Sequence, residues 1–426
     1  MSESSEIHVK RHIYLSISLA TFFAWMIESY SYNIMFYSVK ARYNDFGMNL
    51  NDIGVAIAIS SVCRTMGAQI FGMISNRLGR KRPFLASVTL TAVLTAICGK
   101  VDTRIPFMVM NALVSLCAGG QFGISVSWLM ESVPALHRGL FAGIYMQGYA
   151  TGLLMAEDIL IGLTENDSWR NCFYFVLYLL LPVFCVAFIP ESSVWQQIRT
   201  QGQPDFHKSA RLAYQTNAPV NRFSILLLSF IAFFSSASRD LYPDFLQIQL
   251  KFSQQQIVVT TAVGYVGGFI GAIVSGLLLY YTRPKVIIGV CAFLSAALAY
   301  PWTFAQSLVA ASASLFIFQF FVQGLLSAIP VYLFDVIPPL VRAHFIGIVF
   351  QLTRAIGSSS RGIESAMLNK FKQPNGTPNY GLSQIMFLII AAACTMVFVI
   401  FAPATYRPPP SSINDESVYA NKPTAV

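Results

Sequence analysis

Along this chain, twelve stretches of about twenty apolar residues recur, each long enough to carry an α-helix across roughly 30 Å of hydrocarbon. Nothing constrains the fold more. Inside a bilayer no water satisfies a bare N–H or C=O, so each stretch must close its hydrogen bonds internally as a helix. The spans fall near 13–38, 52–74, 83–99, 105–130, 138–161, 170–189, 222–247, 254–281, 284–303, 308–333, 341–368 and 381–401. Composition agrees: of 426 residues, 55% are hydrophobic and 11% charged, about half the charge of a soluble domain. That balance disfavours a disordered chain, a secreted disulfide scaffold and a charged nucleic-acid binder. The expected fold is an all-α membrane protein in which a polar gap, 190–221, separates two six-helix bundles at 13–189 and 222–401, flanked by an N-terminal segment 1–12 and a tail 402–426.

Sidedness follows from the basic residues of the loops. Placing the N-terminus in the cytoplasm assigns sixteen Lys and Arg to that face and eight to the other, which puts both termini inside. Two N-x-S/T sequons, at Asn166 and Asn375, then fall outside. The polar start MSESSEIHVKRH runs into the first span with no small-residue cleavage site, so no removable leader is expected. Seven cysteines stand singly in apolar stretches and read as core residues. No metal site or cofactor is expected.

An internal repeat defines the architecture. At an offset of 204 residues, 128–147 (WLMESVPALHRGLFAGIYMQ) aligns with 332–351 (YLFDVIPPLVRAHFIGIVFQ), with eight of twenty positions identical. These include Pro134 with Pro338, Arg138 with Arg342, Gly143 with Gly347 and Gln147 with Gln351, and Glu131 is matched by Asp335. Apolar segments share Leu and Ile by chance, but not Pro, Arg, Gly and Gln in register. The repeat predicts two parallel six-helix halves related by an axis along the membrane normal, with a binding site between them near the midplane.

With that repeat, the stretch 72–83 (GMISNRLGRKRP) resembles the turn between helices two and three of the major facilitator superfamily, G-x-x-x-D-R-x-G-R-R, with Asn76 in the acidic position. The resemblance implies alternating access, gated on the cytoplasmic side by Arg77, Arg80, Glu131 with Arg138, and Asp335 with Arg342. Capping of helix ends is the alternative role for these charges.

Charges inside the spans cost about 3 kcal/mol each on insertion scales and mark candidate sites. Arg64 sits mid-span two and Arg354 mid-span eleven, where Gln351, Arg354, Ser358 and Arg361 form one stripe. Glu28 lies mid-span one; Arg239 and Asp240 lie toward the end of span seven, and Glu157 and Asp158 toward the end of span five. Arg64 paired with Glu28 is the structural alternative. Four arginines together point to an anion, most simply a carboxylate held by a guanidinium fork.

A narrower resemblance supports this. The segment 138–156 (RGLFAGIYMQGYATGLLMA) resembles R-G-L-F-S-G-x-x-Q-Q-G-Y-A-x-G-Y-L of the sialate–proton symporter family, particularly its fungal Jen-type monocarboxylate permeases. The stretches 232–244 (AFFSSASRDLYPD) and 341–365 resemble two further motifs of that group. Departures are specific: Ala232, Ser236, Arg239 and Asp244 replace Asn, His, Gln and Thr of the seventh-helix signature, and Arg354 replaces an Asn. The resemblance implies a proton-coupled carrier of monocarboxylates of the lactate, pyruvate or acetate type. Arg64, Gln147, Arg239, Gln351 and Arg354 are the candidate substrate ligands, and Glu28 and Asp240 the candidate proton-coupling carboxylates. A dicarboxylate, sugar-acid or inorganic-anion carrier, or a non-transporting carboxylate sensor, are the alternatives. An enzyme is disfavoured, since no nucleophile elbow, P-loop, metal-ligand spacing or dinucleotide fingerprint is present. The expected protein is a functional monomer in the plasma membrane whose partners are a small organic anion, protons and lipid.

Overall fold

The computed structural model describes residues 3–42, 50–164, 170–200, 206–239, 241–368, 370–371 and 378–402. Twelve helical spans follow in order, here α1 (Glu3–Arg42), α2 (Leu50–Leu78), α3 (Lys81–Cys98), α4 (Arg104–Ser132), α5 (Arg138–Thr164), α6 (Asn171–Phe188), α7 (Phe206–Ala237, resuming at Tyr242–Asp244 and Phe245–Gln249), α8 (Gln254–Leu278), α9 (Pro284–Ala297 and Ala299–Phe304), α10 (Leu308–Val336), α11 (Arg342–Gly357 and Ser360–Leu368) and α12 (Tyr380–Phe401). Among the described residues, nine of these are long and apolar enough to cross a membrane by length and composition alone. The other three are α5, whose apolar run carries Gln147, Glu157 and Asp158, and α9 and α11, which are broken.

Two of the breaks have a local cause in proline. In α9 and α10, Pro301 and Pro330 follow breaks at Leu298 and Ala328, because proline removes an N–H and its ring crowds the carbonyl four residues back. Span α6 is α-helical only over Asn171–Phe175 and then tightens to 3₁₀ turns at Tyr178–Leu180 and Val183–Phe188. The helix of span seven begins at Phe206, well before the expected residue 222, so much of the polar linker is helical; Ser193–Thr200 forms a separate short helix. Likewise α1 begins at Glu3, inside the expected N-terminal segment. Asn166, Asn375, Asp240 and the tail beyond residue 402 lie outside the described residues.

The repeat is written into the packing. A Cβ on Gly67 would stand 1.8 Å from the carbonyl oxygen of Leu116, and one on Gly271 would stand 2.0 Å from that of Phe320. Both pairs are related by the same 204-residue offset. Glycine therefore lets α2 touch α4 and α8 touch α10 in equivalent ways. The halves also meet by exchange: Gly72 packs on His344 and Gly276 on Leu140, while Gly347 packs on Ala68 and Gly143 on Ala272. These contacts pair α2 with α11 and α8 with α5, as a two-fold pseudo-axis between the halves requires.

The lipid face repeats as well. Val55, Val62, Met66, Ile70 and Ile74 on α2 are exposed, as are their counterparts Val259, Val266, Ile270, Val274 and Leu278 on α8. A helical apolar stripe left bare in this way is stable against hydrocarbon. All seven cysteines are free thiols, four of them buried. With twelve spans the two ends of the chain share one face, called the terminal face below.

Filling the glycine contacts tests this packing. Gly67→Val and Gly271→Val are each expected to cost roughly 1–3 kcal/mol and to lower the unfolding temperature in detergent. Gly362→Ala, whose Cβ would meet nothing within 4 Å, should leave it unchanged.

Candidate functional site

Near the middle of the bundle, helix α1 carries Glu28 into a position with no solvent exposure. Such a carboxylate survives in low dielectric only when paired. Its Oε1 accepts from Arg64 Nη1 of α2 at 2.7 Å and from Arg354 Nη1 of α11 at 3.5 Å. One oxygen is thus shared by a cation from its own half and a cation from the other half. Among the described residues, none donates a hydrogen bond to its Oε2.

Close helix approach fixes these groups. A Cβ on Gly119 would strike the Arg64 carbonyl at 2.0 Å, so α4 supports the backbone from which Arg64 extends. On α5, Gly148 and Gly152 admit the carbonyls of Phe22 and Met26 on α1. Between those glycines, Tyr149 O accepts from Ser29 Oγ at 2.6 Å, locking the two helices in register. The Tyr149 hydroxyl then accepts from Arg354 Nη2 at 2.6 Å, and the guanidinium lies 4.5 Å from the Tyr149 ring centre. Arg64 lies 4.5 Å from the Tyr32 ring centre in the same manner.

Gln351 joins the halves again, donating from Nε2 to Gly119 O at 3.3 Å while its Oε1 has no partner. Its repeat mate Gln147 is buried, with an unpartnered Nε2. The structure thus brings Glu28, Arg64 and Arg354 together and adds Gln351 beside them. Arg239 is held differently: it folds onto its own helix, donating to Ser235 O and Oγ at 3.3 Å. Asp240 lies outside the described residues, as do the side chains of Glu157, Asp158 and Arg361. Two groups were not picked out from the sequence. Tyr149 is a motif residue whose partner is 205 positions away, and Glu364, fully buried on α11, follows Arg361 in the same stripe.

Phe122 of α4 and Phe350 of α11 stack with ring centres 3.4 Å apart and planes 8° from parallel, one helical turn from Arg354 toward the terminal face. Beyond Arg354 on the other side, Ser358, Ser359 and Gly362 are exposed. The Arg354 side chain is 26% exposed against 0% for Glu28.

At the terminal face the expected pairing needs correction. The sequence sets Glu131 with Arg138, whereas the structure seats it on Arg80, with Nη2–Oε1 at 3.1 Å and Nε–Oε2 at 3.3 Å. Its Oε2 also accepts from Ser192 Oγ at 2.6 Å, and Arg342 of the other half approaches Oε1 at 3.9 Å. The reason is the turn after α2: Gly79 adopts φ +98°, which only glycine takes easily, and throws Arg80 inward. Asn76 accepts from Arg80 Nη1 at 2.9 Å, so the amide keeps a partner where the superfamily motif has an acid. Arg138 donates to Met130 O at 2.8 Å, and both Arg138 and Arg342 lie over the Phe334 ring. Arg77 and Asp335 are exposed at this face.

A sequence model described as Major Facilitator Superfamily matches residues 17–360. The chain belongs to that family. A carboxylic acid transporter protein homolog of Saccharomyces cerevisiae is 22% identical over 373 residues, covering 82% of this chain and 61% of the yeast protein. The chain therefore spans less than two thirds of that relative's length. The cis,cis-muconate transport protein of Acinetobacter baylyi is 22% identical over 282 residues, 65% of this chain and 68% of that protein. Sialic acid transporter NanX of Escherichia coli is 23% identical over 194 residues, 44% of this chain and 47% of that protein. The sialate and carboxylate resemblance read from the motifs agrees with these relatives. Among solved structures, the major facilitator proton:xylose symporter XylE bound to 6-bromo-6-deoxy-D-glucose superposes with a TM-score of 0.72 at 16% identity, covering 92% of this chain and 97% of that one. The twelve-helix major facilitator fold is thus shared.

Two outcomes follow. Removing Arg64 leaves a buried carboxylate with its longer contact alone, so Arg64→Ala is expected to cost roughly 3–5 kcal/mol of stability, and much less in combination with Glu28→Gln; thermal unfolding of the four proteins completes the cycle. At the terminal face, Glu131→Gln weakens the acceptor that Arg80 and Arg342 share. Spin labels at Leu78→Cys and Tyr281→Cys, both exposed positions in opposite halves, should then shift toward longer separations by double electron–electron resonance.

Proposed function

We propose that the protein is a secondary transporter that moves a small organic anion, a monocarboxylate, together with a proton by alternating access. The observation that carries this reading is the single Glu28 carboxylate shared by Arg64 and Arg354, from opposite halves, in the middle of the bundle. Two cations and one anion leave a net charge of +1, which attracts a substrate carboxylate. Arg354, partly exposed, receives it, and Gln147 and Gln351 offer a free donor and acceptor from repeat-related helices. A proton on Glu28 neutralises the competing carboxylate and releases Arg64 and Arg354 to the substrate, so proton and anion favour each other's binding.

The relatives named for carboxylic acid, muconate and sialic acid transport support an organic anion. In this reading the terminal face is cytoplasmic, as the basic loops suggest, and the site opens to the outside. The Phe122–Phe350 stack and the Arg80–Glu131–Arg342 cluster close the inner side. Rocking of the halves breaks these contacts and forms others outside. Arg239 serves as a further substrate ligand and Asp240 as a second proton-coupling carboxylate. The protein acts as a monomer in the plasma membrane without a cofactor.

Uptake into proteoliposomes under an inward proton gradient tests the reading. Wild type should accumulate a labelled monocarboxylate above protein-free vesicles. Arg64→Ala and Arg354→Ala should lose at least tenfold in rate, and Glu28→Gln should retain anion exchange but lose gradient-driven accumulation. Wild-type uptake by Arg64→Ala at equal protein content contradicts the assignment, and binding without any flux favours a sensor.

A further inference from the structure

Arg354 of α11 faces two acceptors, and the other half presents both. Its Nη2 donates to the Tyr149 hydroxyl at 2.6 Å, whereas its Nη1 reaches Glu28 Oε1 only at 3.5 Å, the outer limit of a hydrogen bond. The near acceptor is thus neutral and the far one charged. Charge alone favours the reverse order, because a guanidinium gains most from a carboxylate that it grips with two N–H groups. Glu28 has room for such a grip: Arg64 takes Oε1 at 2.7 Å, and among the described residues none donates to Oε2.

Helix α1 sets this order, since it carries Glu28 and also fixes Tyr149. One residue after Glu28, Ser29 Oγ donates to Tyr149 O at 2.6 Å, and Asn33 Nδ2 donates to Ser29 O at 2.8 Å. One turn before Glu28, the Trp25 ring lies 5.5 Å from the Tyr149 ring at 47°. Tyr149 is therefore held by both backbone and ring, and its hydroxyl stays where Arg354 finds it. We propose that Tyr149 is a positioning residue whose hydroxyl holds the Arg354 guanidinium off Glu28, in a neutral hydrogen bond that leaves the charge open to the substrate carboxylate. Without that hydroxyl, Arg354 closes onto Glu28, and an incoming anion has a complete ion pair to break. This role rests on the anion-binding reading above and concerns how that site keeps its cation available.

Uptake of labelled pyruvate, lactate and acetate by the full chain in proteoliposomes tests the role. For whichever of them wild type carries fastest, Tyr149→Phe, which keeps the ring and removes the hydroxyl, should raise KM roughly fivefold or more with the maximal rate within about twofold of wild type. Anion exchange with Glu28→Gln separates positioning from packing, since no carboxylate then remains to capture Arg354. Glu28→Gln and Glu28→Gln/Tyr149→Phe should have KM values within about twofold of each other. Ser29→Ala, which releases Tyr149 from α1, should raise KM in the same direction when Glu28 is present, and it carries the test where Tyr149→Phe does not fold. An unchanged KM, a fall in maximal rate alone, or an equal rise in KM with and without Glu28 overturns the positioning role and leaves the anion reading intact. Uptake of none of the three anions, or uptake unaffected by Arg354→Ala, overturns the anion reading and this role with it.

Discussion

A carboxylate with no access to water holds this structure's centre. Glu28 is tolerable in a low-dielectric interior because Arg64 neutralises it from the neighbouring helix, and Arg354 reaches the same oxygen from the other half. The arrangement is unsaturated, since among the described residues one oxygen of Glu28 and the Nε of Arg64 have no hydrogen-bond partner. A buried ion pair of this sort contributes little net stability, while losing either member leaves a costly bare charge. That asymmetry suits a switch: the charges must stay together until something replaces one of them, and a proton or an anion is such a replacement.

The scaffold is symmetric and the site is not. Glycine contacts recur at the 204-residue offset in both halves, and the lipid faces of α2 and α8 coincide under it. Yet the positions equivalent to Glu28, Arg64, Tyr149 and Arg354 are Ala232, Gly268, Thr353 and Ala150. Only Gln147 and Gln351 keep their identity at the centre. Each half thus supplies the same framework of close-packed helices, and the charges stand where the halves have diverged. The terminal face follows the same division, with Arg80 on Glu131 inside one half and Arg342 reaching across from the other.

How much of this is legible in the sequence depends on the range of the interaction. The helices declare themselves by length and apolarity, and the repeat by identities in register, since both are one-dimensional patterns. Glu28 and Arg64 stand out because charges are rare in such spans, and their opposite signs make them natural partners. The partners that were missed depend on tertiary placement. Glu131 turns to Arg80 because Gly79 bends the chain inward, and Tyr149 meets Arg354 only because glycines bring α5 against α1. Helix ends were least legible: a polar linker can continue an apolar helix, as α7 does from Phe206, because backbone hydrogen bonds do not require apolar side chains.

The central claim is that Glu28 takes up the proton when an anion takes over its arginines. Infrared difference spectroscopy of the protein in lipid, recorded on adding a carboxylate at fixed pH, measures this directly. The account predicts a new protonated-carboxyl stretch on anion binding that is absent from Glu28→Gln. No such band in the wild type while the anion binds, or the same band in Glu28→Gln, would contradict it.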